Sequence, residues 1–257
     1  MTVPRATVED LVPLIRHALF FDVDGTLLEF QDRPEQVLSN AGLNGILEVL
    51  LVRTRGAVAL VSGRGLADLD RIFSPLVLTA VGLHGAVVRG ATGVVERLPI
   101  ENGRLGQLKC AMSSWIRSKP GLLLEDKGAS VAVHFRQVPE LADEVRSRMQ
   151  AWHAEFGDGF ELQPGKMVLE ARPAGVGKGG GIRDLMAAPP FHGRIPVFFG
   201  DDDTDEDAFL AVRDLRGCSI KVGSGPTCAI RSIPDPAAVR SLLRNVVASV
   251  ASFPSLP

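Results

Sequence analysis

Two carboxylates stand two positions apart directly after an apolar run near the start of the chain. They are Asp22 and Asp24, in the stretch "HALFFDVDGT". Residues at i and i+2 of a strand face the same side, so these carboxylates repel each other unless one gains a proton or both share a cation. The alternative interpretation is a solvated turn in which an aspartate caps the next segment. The pair therefore indicates either paired-carboxylate chemistry or a polar turn.

A second acidic group follows another apolar run, in "IPVFFGDDDTDEDAF". Carboxylates without histidine or cysteine suit a hard cation, and Mg²⁺ binds one or two carboxylates, waters and a substrate phosphate. An acidic site of this kind, joined by cationic and hydroxyl groups, indicates phosphoryl transfer. The candidate site residues are Asp201, Asp202 and Asp205, and those interpreted as starting or capping the next helix are Asp203, Glu206 and Asp207.

A single lysine supplies a matching positive charge. Lys178 lies in "GVGKGGGIRDLM", which departs from a Walker loop because position 172 is arginine and a glycine follows the lysine. The alternative interpretation is an ordinary surface lysine at the start of a helix. The lysine alone does not decide between the two.

Alternating strands and helices must position these residues. Continuous apolar runs occur in "HALFFDVDGT", "GAVALVSGR", "LVLTAVGLHG", "IPVFFGDDD" and "CSIKVG", with helical patterns between several of them. This alternation predicts an α/β fold with a Rossmann-like parallel sheet. Ligands of such sheets bind at the carboxyl ends of the strands. Ser62, Arg64, His84 and Gly85 therefore join the acidic residues at one edge of the sheet.

The middle of the chain has a different pattern. It predicts a helix, a pair of strands, a second helix that starts at a proline, and a hairpin that turns at Pro164 and Gly165. We therefore expect a catalytic core of residues 1–101 and 173–257. Residues 102–172 are expected to form an inserted α+β cap domain for substrate recognition.

Composition limits the classes of protein. The 257 residues carry a formal net charge of −2, with 46% hydrophobic and 23% charged residues. This balance is typical of a globular chain and predicts no nucleic-acid or membrane partner. No signal-peptide or transmembrane segment is recognisable, so we expect a cytoplasmic protein. Cys110, Cys218 and Cys228 lack metal-ligand spacing and are expected to be reduced, buried thiols.

Four motifs in this order resemble those of the haloacid dehalogenase superfamily of phosphatases: "DVDGT", "SGR", Lys178 and "GDDDTDEDAF". The last motif, with "GLHGA", "LEDKG", "HFRQVPE" and "PGKMVLEARP", also resembles the trehalose-6-phosphate phosphatase family. The resemblance covers roughly Ala18 to Gly225. It implies Mg²⁺-dependent hydrolysis of trehalose 6-phosphate through a phospho-aspartyl intermediate, and a functional link to a trehalose-6-phosphate synthase.

The resemblance also implies a role for each matching residue. Asp22 would be the nucleophile and Asp24 the general acid and base, while Ser62 and Lys178 would hold the phosphate. Mg²⁺ would lie on Asp22, the backbone carbonyl of Asp24 and Asp201, with Asp202 and Asp205 close by. The implied substrate-binding residues are Thr26, Arg64, His84, Gly85, Glu125, Lys127, Arg136, Lys166 and Glu170. For the charged residues of the insertion, a solvated sheet face is the alternative interpretation.

The three glycines after Lys178 depart from the family pattern, which has a single glycine there. Each extra glycine weakens a helix by about 1 kcal/mol relative to alanine, so this run is expected to loosen the support of the lysine.

Other functions stay open. A phosphatase of the same fold could act on sucrose 6-phosphate or mannosyl-3-phosphoglycerate, and only the insertion can separate these substrates. A non-catalytic phospho-acceptor module would need neither Asp24 nor the inserted domain. A carbohydrate-binding protein without activity would not need the complete motif set.

Overall fold

The computed structural model describes residues 3–30, 36–97, 102–126, 130–157, 160–165, 167–173 and 176–251. The chain divides into two compact units, one formed by Met1–Arg97 with Gly177–Pro257 and the other by Leu98–Val176. No helix of the described residues is long and apolar enough to cross a membrane.

Both units contain helices and strands. The helices are α1 (Ala41–Arg53), α2 (Leu66–Phe73), α3 (Asn102–Ile116), α4 (Ala142–Phe156), α5 (Lys178–Met186), α6 (Glu206–Asp214) and α7 (Pro236–Ala251). The strands are β1 (His17–Phe21), β2 (Val58–Val61), β3 (Thr79–Gly82), β4 (Val87–Arg89), β5 (Val95–Arg97), β6 (Leu123–Asp126), β7 (Val131–His134), β8 (Phe160–Gly165), β9 (Val168–Pro173), β10 (Ile195–Gly200), β11 (Cys218–Val222) and β12 (Arg231–Ile233).

The first unit is built on an eight-stranded sheet in the order β12-β11-β10-β1-β2-β3-β4-β5. The strands from β12 to β3 pair in parallel, and β4 and β5 extend the sheet with antiparallel pairs. The predicted α/β fold with a parallel sheet is therefore confirmed. The central strand β1 is buried along its whole length, as its continuous apolar sequence predicts.

Helices cover both faces of this sheet. Leu19 and Phe21 of β1 belong to a core cluster that includes residues of α1, α2 and α7. Phe20 points to the opposite face, where it shares a second cluster with Ile182 of α5 and Phe209 of α6. Since successive side chains of a strand alternate between faces, a fully apolar strand can serve both clusters at once.

The glycines after Lys178 lie inside α5 and pack tightly. A Cβ atom on Gly179 would stand 2.6 Å from the backbone oxygen of Asp207, and one on Gly181 would overlap the Val81 side chain. Gly180 is different, because no described atom lies within 4 Å of its Cβ position. Two of the three glycines therefore let α5 approach α6 and β3 closely, which offsets the expected weakening of the helix.

The second unit is an antiparallel sheet in the order β6-β7-β9-β8. One face carries Val131, Val133 and Leu169, which pack in an apolar cluster with residues of α3 and α4. The predicted hairpin is present, but its predicted turn is wrong. β8 continues through Gly165, which pairs with Val168, so the chain turns only after Gly165.

The cysteines differ in exposure. Cys110 is exposed, so the expectation of a buried thiol is wrong for this residue, whereas Cys218 and Cys228 are half-buried. Burial raises the pKa of each of the latter two thiols to about 11. They therefore remain protonated near neutral pH.

Substitution of the glycines of α5 tests this packing. Gly180→Ala is expected to raise the free energy of unfolding by about 0.5–1 kcal/mol, because alanine loses less backbone entropy in a helix and meets no neighbour. Gly181→Ala is expected to lower it, because the new methyl group overlaps Val81. Urea denaturation of the two variants measures both effects. A destabilised Gly180→Ala variant would contradict the open space described there.

Candidate active site

The carboxyl ends of four neighbouring strands bring the motif residues together. Asp22 follows β1, Ser62 follows β2, His84 follows β3, and Asp201 follows β10. The backbone N–H of Asp22 donates to Phe199 of β10, and that of Ser62 donates to Val81 of β3. These hydrogen bonds continue the pairing of the strands into the motif segments. The backbone that carries Asp22 and Ser62 is therefore fixed by the sheet.

Lys178 lies between two buried carboxylates. Its Nζ donates to Asp22 Oδ1 at 2.9 Å and to Asp205 Oδ1 at 2.6 Å. Lys178 is 2% exposed and Asp205 is fully buried, so the interpretation of Lys178 as a surface lysine is wrong. A buried charge is costly unless it is paired, and here the lysine pairs with both acids.

Asp205 also shapes the loop after β10. Its Oδ2 accepts the backbone N–H groups of Asp201 at 2.8 Å and Asp202 at 3.1 Å. The Asp202 carboxylate turns to Thr204, whose backbone N–H and hydroxyl both donate to its Oδ1. Asp205 therefore positions the loop, while Asp202 caps its short 3₁₀ turn.

Three carboxylates lie close enough to share a cation. One oxygen from each of Asp22, Asp201 and Asp205 lies within 4.8 Å of the others. The Thr26 hydroxyl donates to Asp201 Oδ1 at 3.1 Å. Gly25 has φ 80°, and a side chain there would collide with the Asp201 carboxylate. In "DVDGT", the glycine therefore leaves room for the Asp201 carboxylate, and the threonine hydroxyl binds it. An all-oxygen set of this kind fits a hard divalent cation.

Burial and mutual repulsion make these carboxylates hard to ionise. Burial raises the pKa of Asp22 to about 7 and that of Asp205 to about 8, while the positive charge of Lys178 opposes both shifts. Burial and the charges of Asp205 and Asp202 raise the pKa of Asp201 to about 6. Burial lowers the pKa of Lys178, but the charges of Asp205 and Asp22 raise it well above its usual range. One lysine does not balance the group, so a bound cation would relieve the repulsion.

Asp24 has a different environment from Asp22. Arg64 binds it through two hydrogen bonds, from Nε to Oδ2 at 2.6 Å and from the second guanidinium nitrogen to Oδ1 at 2.7 Å. The backbone N–H of Arg64 donates to the buried Ser62 Oγ at 3.2 Å. The "SGR" motif thus places a guanidinium on Asp24, and its serine hydroxyl accepts a hydrogen bond from the backbone of the same arginine. Within the described residues, Asp24 stands outside the three-carboxylate group.

His84 and Gly85 form the left-handed turn after β3. His84 has φ 53° and Gly85 has φ 105°. The His84 ring occupies the space in front of Gly63, and a side chain on Gly85 would collide with the Gly177 backbone. Gly85, predicted as a substrate-binding residue, therefore allows this turn to approach the start of α5.

Sequence reasoning missed Lys221. This lysine of β11 is 5% exposed, and its Nζ donates to the backbone carbonyl of Asp201. A lysine inside the apolar run "CSIKVG" was the available signal. Asp207 was interpreted only as part of a helix start. In the structure its Oδ2 also accepts a hydrogen bond from the Gly179 backbone N–H at 3.1 Å. It thereby links α6 to the first turn of α5.

The predicted residues of the insertion fall into different places. Glu125 lies on β6 and Glu170 on β9, and both pair in register with Ala132 of β7. Arg136, expected on the strand, lies in the exposed turn after β7. The predictions for Lys127 and Lys166 lie outside the described residues.

Comparison with known proteins identifies the family. The family model described as trehalose-phosphatase matches residues 20–234. The chain belongs to the trehalose-phosphatase family. The predicted resemblance is thereby confirmed, as is the prediction of a phosphoric monoester hydrolase. Membership of this family supports a sugar phosphate as the class of substrate.

Individual relatives support the same family assignment. A probable trehalose-phosphate phosphatase of Sinorhizobium fredii is 39% identical over 228 residues, which cover 88% of this chain and 86% of the relative. The trehalose-6-phosphate phosphatase of Escherichia coli is 36% identical, with 91% and 88% covered. A solved structure of a trehalose-6-phosphate phosphatase related protein matches with a TM-score of 0.74 and 31% identity, covering 91% of this chain and 98% of that one.

The raised pKa of Asp201 predicts how stability depends on pH. Its ordinary value is 3.8, so the stability linked to the protonated folded form is lost as pH rises from about 4 to about 6. Asp201→Asn removes this loss. Between pH 5 and pH 8 the free energy of unfolding of metal-free protein is expected to fall by about 1 kcal/mol less in this variant than in the wild type.

Urea denaturation in excess chelator at several pH values measures this difference. Asp203→Asn is the matched control, because Asp203 is exposed, and it is expected to keep the wild-type slope. Parallel slopes for wild type and Asp201→Asn would contradict the prediction.

Proposed function

We propose that this protein hydrolyses trehalose 6-phosphate to trehalose and phosphate, with Mg²⁺ as cofactor. The observation that carries the proposal is the buried Lys178 between Asp22 and Asp205, beside Asp201, in a chain of the trehalose-phosphatase family. A sugar phosphate brings the anionic group that a lysine, a hydroxyl and a cation can bind together.

The metal would be held by Asp22, Asp201 and the backbone carbonyl of Asp24, with Asp202 and Asp205 close by. Bound there, Mg²⁺ supplies positive charge that stabilises the phosphoryl oxygens during transfer. The hydrogen bonds from Lys178, Asp201 and Asp202 to Asp205 give this last carboxylate a second role, because it also holds the loop and the lysine.

Asp22 is proposed as the nucleophile. Its carboxylate oxygen attacks phosphorus, a P–O bond to Asp22 forms, and the bond between phosphorus and the sugar oxygen breaks. Lys178 and Ser62 hold the phosphate oxygens while this happens. Lys178 already donates to Asp22 Oδ1, so the attacking group and its cationic partner start in contact.

Asp24 is proposed as the general acid and base. It gives a proton to the leaving sugar oxygen and then accepts one from the water that attacks the phospho-aspartyl group, which releases phosphate and restores Asp22. Arg64 occupies both Asp24 oxygens, so this pair must open before Asp24 can donate. Opening it would free the guanidinium to bind the substrate, the role predicted for Arg64.

Residues 102–172 are proposed to choose the sugar. The groups that bind phosphate are common to all sugar phosphates, so discrimination needs hydrogen bonds to sugar hydroxyls. Glu125 and Glu170, on the polar face of the second sheet, support this role. Arg136, Lys127 and Lys166 are proposed to assist them.

A functional link to a trehalose-6-phosphate synthase is part of the proposal. A bifunctional trehalose-6-phosphate synthase/phosphatase of Thermoproteus tenax is 32% identical over 92% of this chain, which covers 33% of that protein. That fusion supports a partner enzyme that supplies the substrate. We propose the cytoplasm as the site of action.

A phosphate-release screen tests the function. Trehalose 6-phosphate is expected to give the highest kcat/KM among sugar phosphates that include sucrose 6-phosphate, mannosyl-3-phosphoglycerate and glucose 6-phosphate. Activity is expected only with Mg²⁺, because the carboxylate group needs a cation. A higher kcat/KM for another sugar phosphate would contradict the substrate, and full activity in excess chelator would contradict the metal.

Two isosteric variants test the division of labour between the aspartates. Asp22→Asn is expected to abolish turnover and any phospho-enzyme, because its amide is a poor nucleophile. Asp24→Asn is expected to bind substrate but to lose about 10²–10⁴-fold in kcat, the usual contribution of acid–base catalysis. Acid-quenched mass spectrometry detects the phospho-enzyme, and circular dichroism checks folding. A phosphorylated Asp22→Asn protein would refute the assignment.

A further inference from the structure

The polar face of the second sheet carries two carboxylates on either side of an alanine. Glu125 on β6 and Glu170 on β9 both pair in register with Ala132 on β7. Residues that pair in register point to the same face of a sheet, so the two side chains flank Ala132. They lie two strands apart, which places their backbones about 10 Å from each other.

Each carboxylate is held by a different side chain of β7 or the residue just before it. Ser130 Oγ donates to Glu170 Oε1 at 2.5 Å in a buried contact. His134 Nε2 lies 2.8 Å from Glu125 Oε2, a distance at which the protonated nitrogen donates to the carboxylate. Ser130 and His134 stand two positions before and after Ala132, so one face of β7 serves both acids.

The opposite face of the same strand explains why this arrangement is rigid. Val131 and Val133 are fully buried in the apolar cluster with α3 and α4. Packing of these two residues fixes the backbone on which Ser130 and His134 stand. Ala132 is also fully buried, and its small side chain adds no bulk between the two acids.

We infer that Ser130 and His134 are positioning residues for sugar recognition, the first acting through Glu170 and the second through Glu125. The inference rests on the proposed function, in which these carboxylates accept hydrogen bonds from sugar hydroxyls. Immobilising a long side chain before the ligand arrives removes an entropic cost of binding. Loss of either positioning residue therefore raises KM by about threefold to tenfold and leaves kcat nearly unchanged.

A crossed double-mutant cycle separates this role from general support of the sheet. His134→Leu is expected to raise KM for trehalose 6-phosphate in the wild type and in Glu170→Ala, but not further in Glu125→Ala. Ser130→Ala is expected to raise KM in the wild type and in Glu125→Ala, but not further in Glu170→Ala. A residue that acts through another loses its effect when that other residue is absent.

Matched variants separate the hydrogen bond from packing. His134→Gln keeps a donor near the position of Nε2 and is expected to restore most of the wild-type KM. Ser130→Cys replaces the hydroxyl with a slightly larger thiol that is only a weak donor, so it is expected to behave like Ser130→Ala. His192→Leu removes an exposed histidine of the first unit and is expected to leave KM unchanged.

The outcomes are distinct from those that test the proposed function. If the screen finds another preferred sugar phosphate, the proposed substrate fails, and the cycle is measured with that sugar phosphate instead. If each substitution raises KM by the same factor in every background, the positioning roles are overturned even if trehalose 6-phosphate is the substrate. Equal rises in KM for His134→Gln and His134→Leu would also overturn them. So would rises in KM that occur only in variants with a lower melting temperature.

Discussion

One buried lysine between two buried aspartates is the constraint on which the site depends. Lys178 reaches Asp22 after β1 and Asp205 after β10, which are 156 and 27 residues away in the chain. Removing Lys178 would leave two carboxylates buried without a counter-charge, which is far more costly than losing a surface pair. The three residues must therefore arrive together, and the elements that carry them are arranged to make this possible.

That requirement accounts for the glycines around the start of α5. Gly179 and Gly181 let the helix approach α6 and β3, and Gly85 lets the turn after β3 lie against Gly177. Asp207 adds a hydrogen bond to the first turn of α5. Poor helix formers are thus used where closeness matters more than helix propensity. The close packing of α5 fixes the backbone of Lys178. Its long side chain can then reach both aspartates.

Phosphate chemistry and sugar recognition place different demands on the polypeptide. The first unit concentrates charge at the ends of parallel strands, where burial shifts the pKa values of Asp22, Asp201 and Asp205. The second unit is an antiparallel sheet with one apolar face against α3 and α4 and one polar face. Such a sheet can present side chains at strand spacing without disturbing its own core. The sugar specificity proposed for this face could therefore change without altering the carboxylate group of the first unit.

The sequence by itself determined the class of fold and the principal acidic residues. Continuous apolar runs such as that of β1 bury both faces of a strand, so their alternation with helices predicts a parallel sheet. The polar residue types that follow those runs predict where chemistry is concentrated. Short strands such as β4, β5 and β12 were not predicted, because three residues carry too little periodic signal. The hairpin turn was misplaced since proline and glycine are common in turns but here belong to β8.

Only the tertiary structure decided which charges are paired and buried. From the sequence, Lys178 fitted a surface helix start equally well, and Lys221 was one lysine in an apolar strand. Asp205 was one of several similar acids, yet it accepts bonds from Lys178, Asp201 and Asp202, while its neighbour Asp203 is exposed. Local sequence fixes a residue's place along its own strand or helix. Burial and ion pairing depend on groups brought from distant parts of the chain, and these meet only when the sheet assembles.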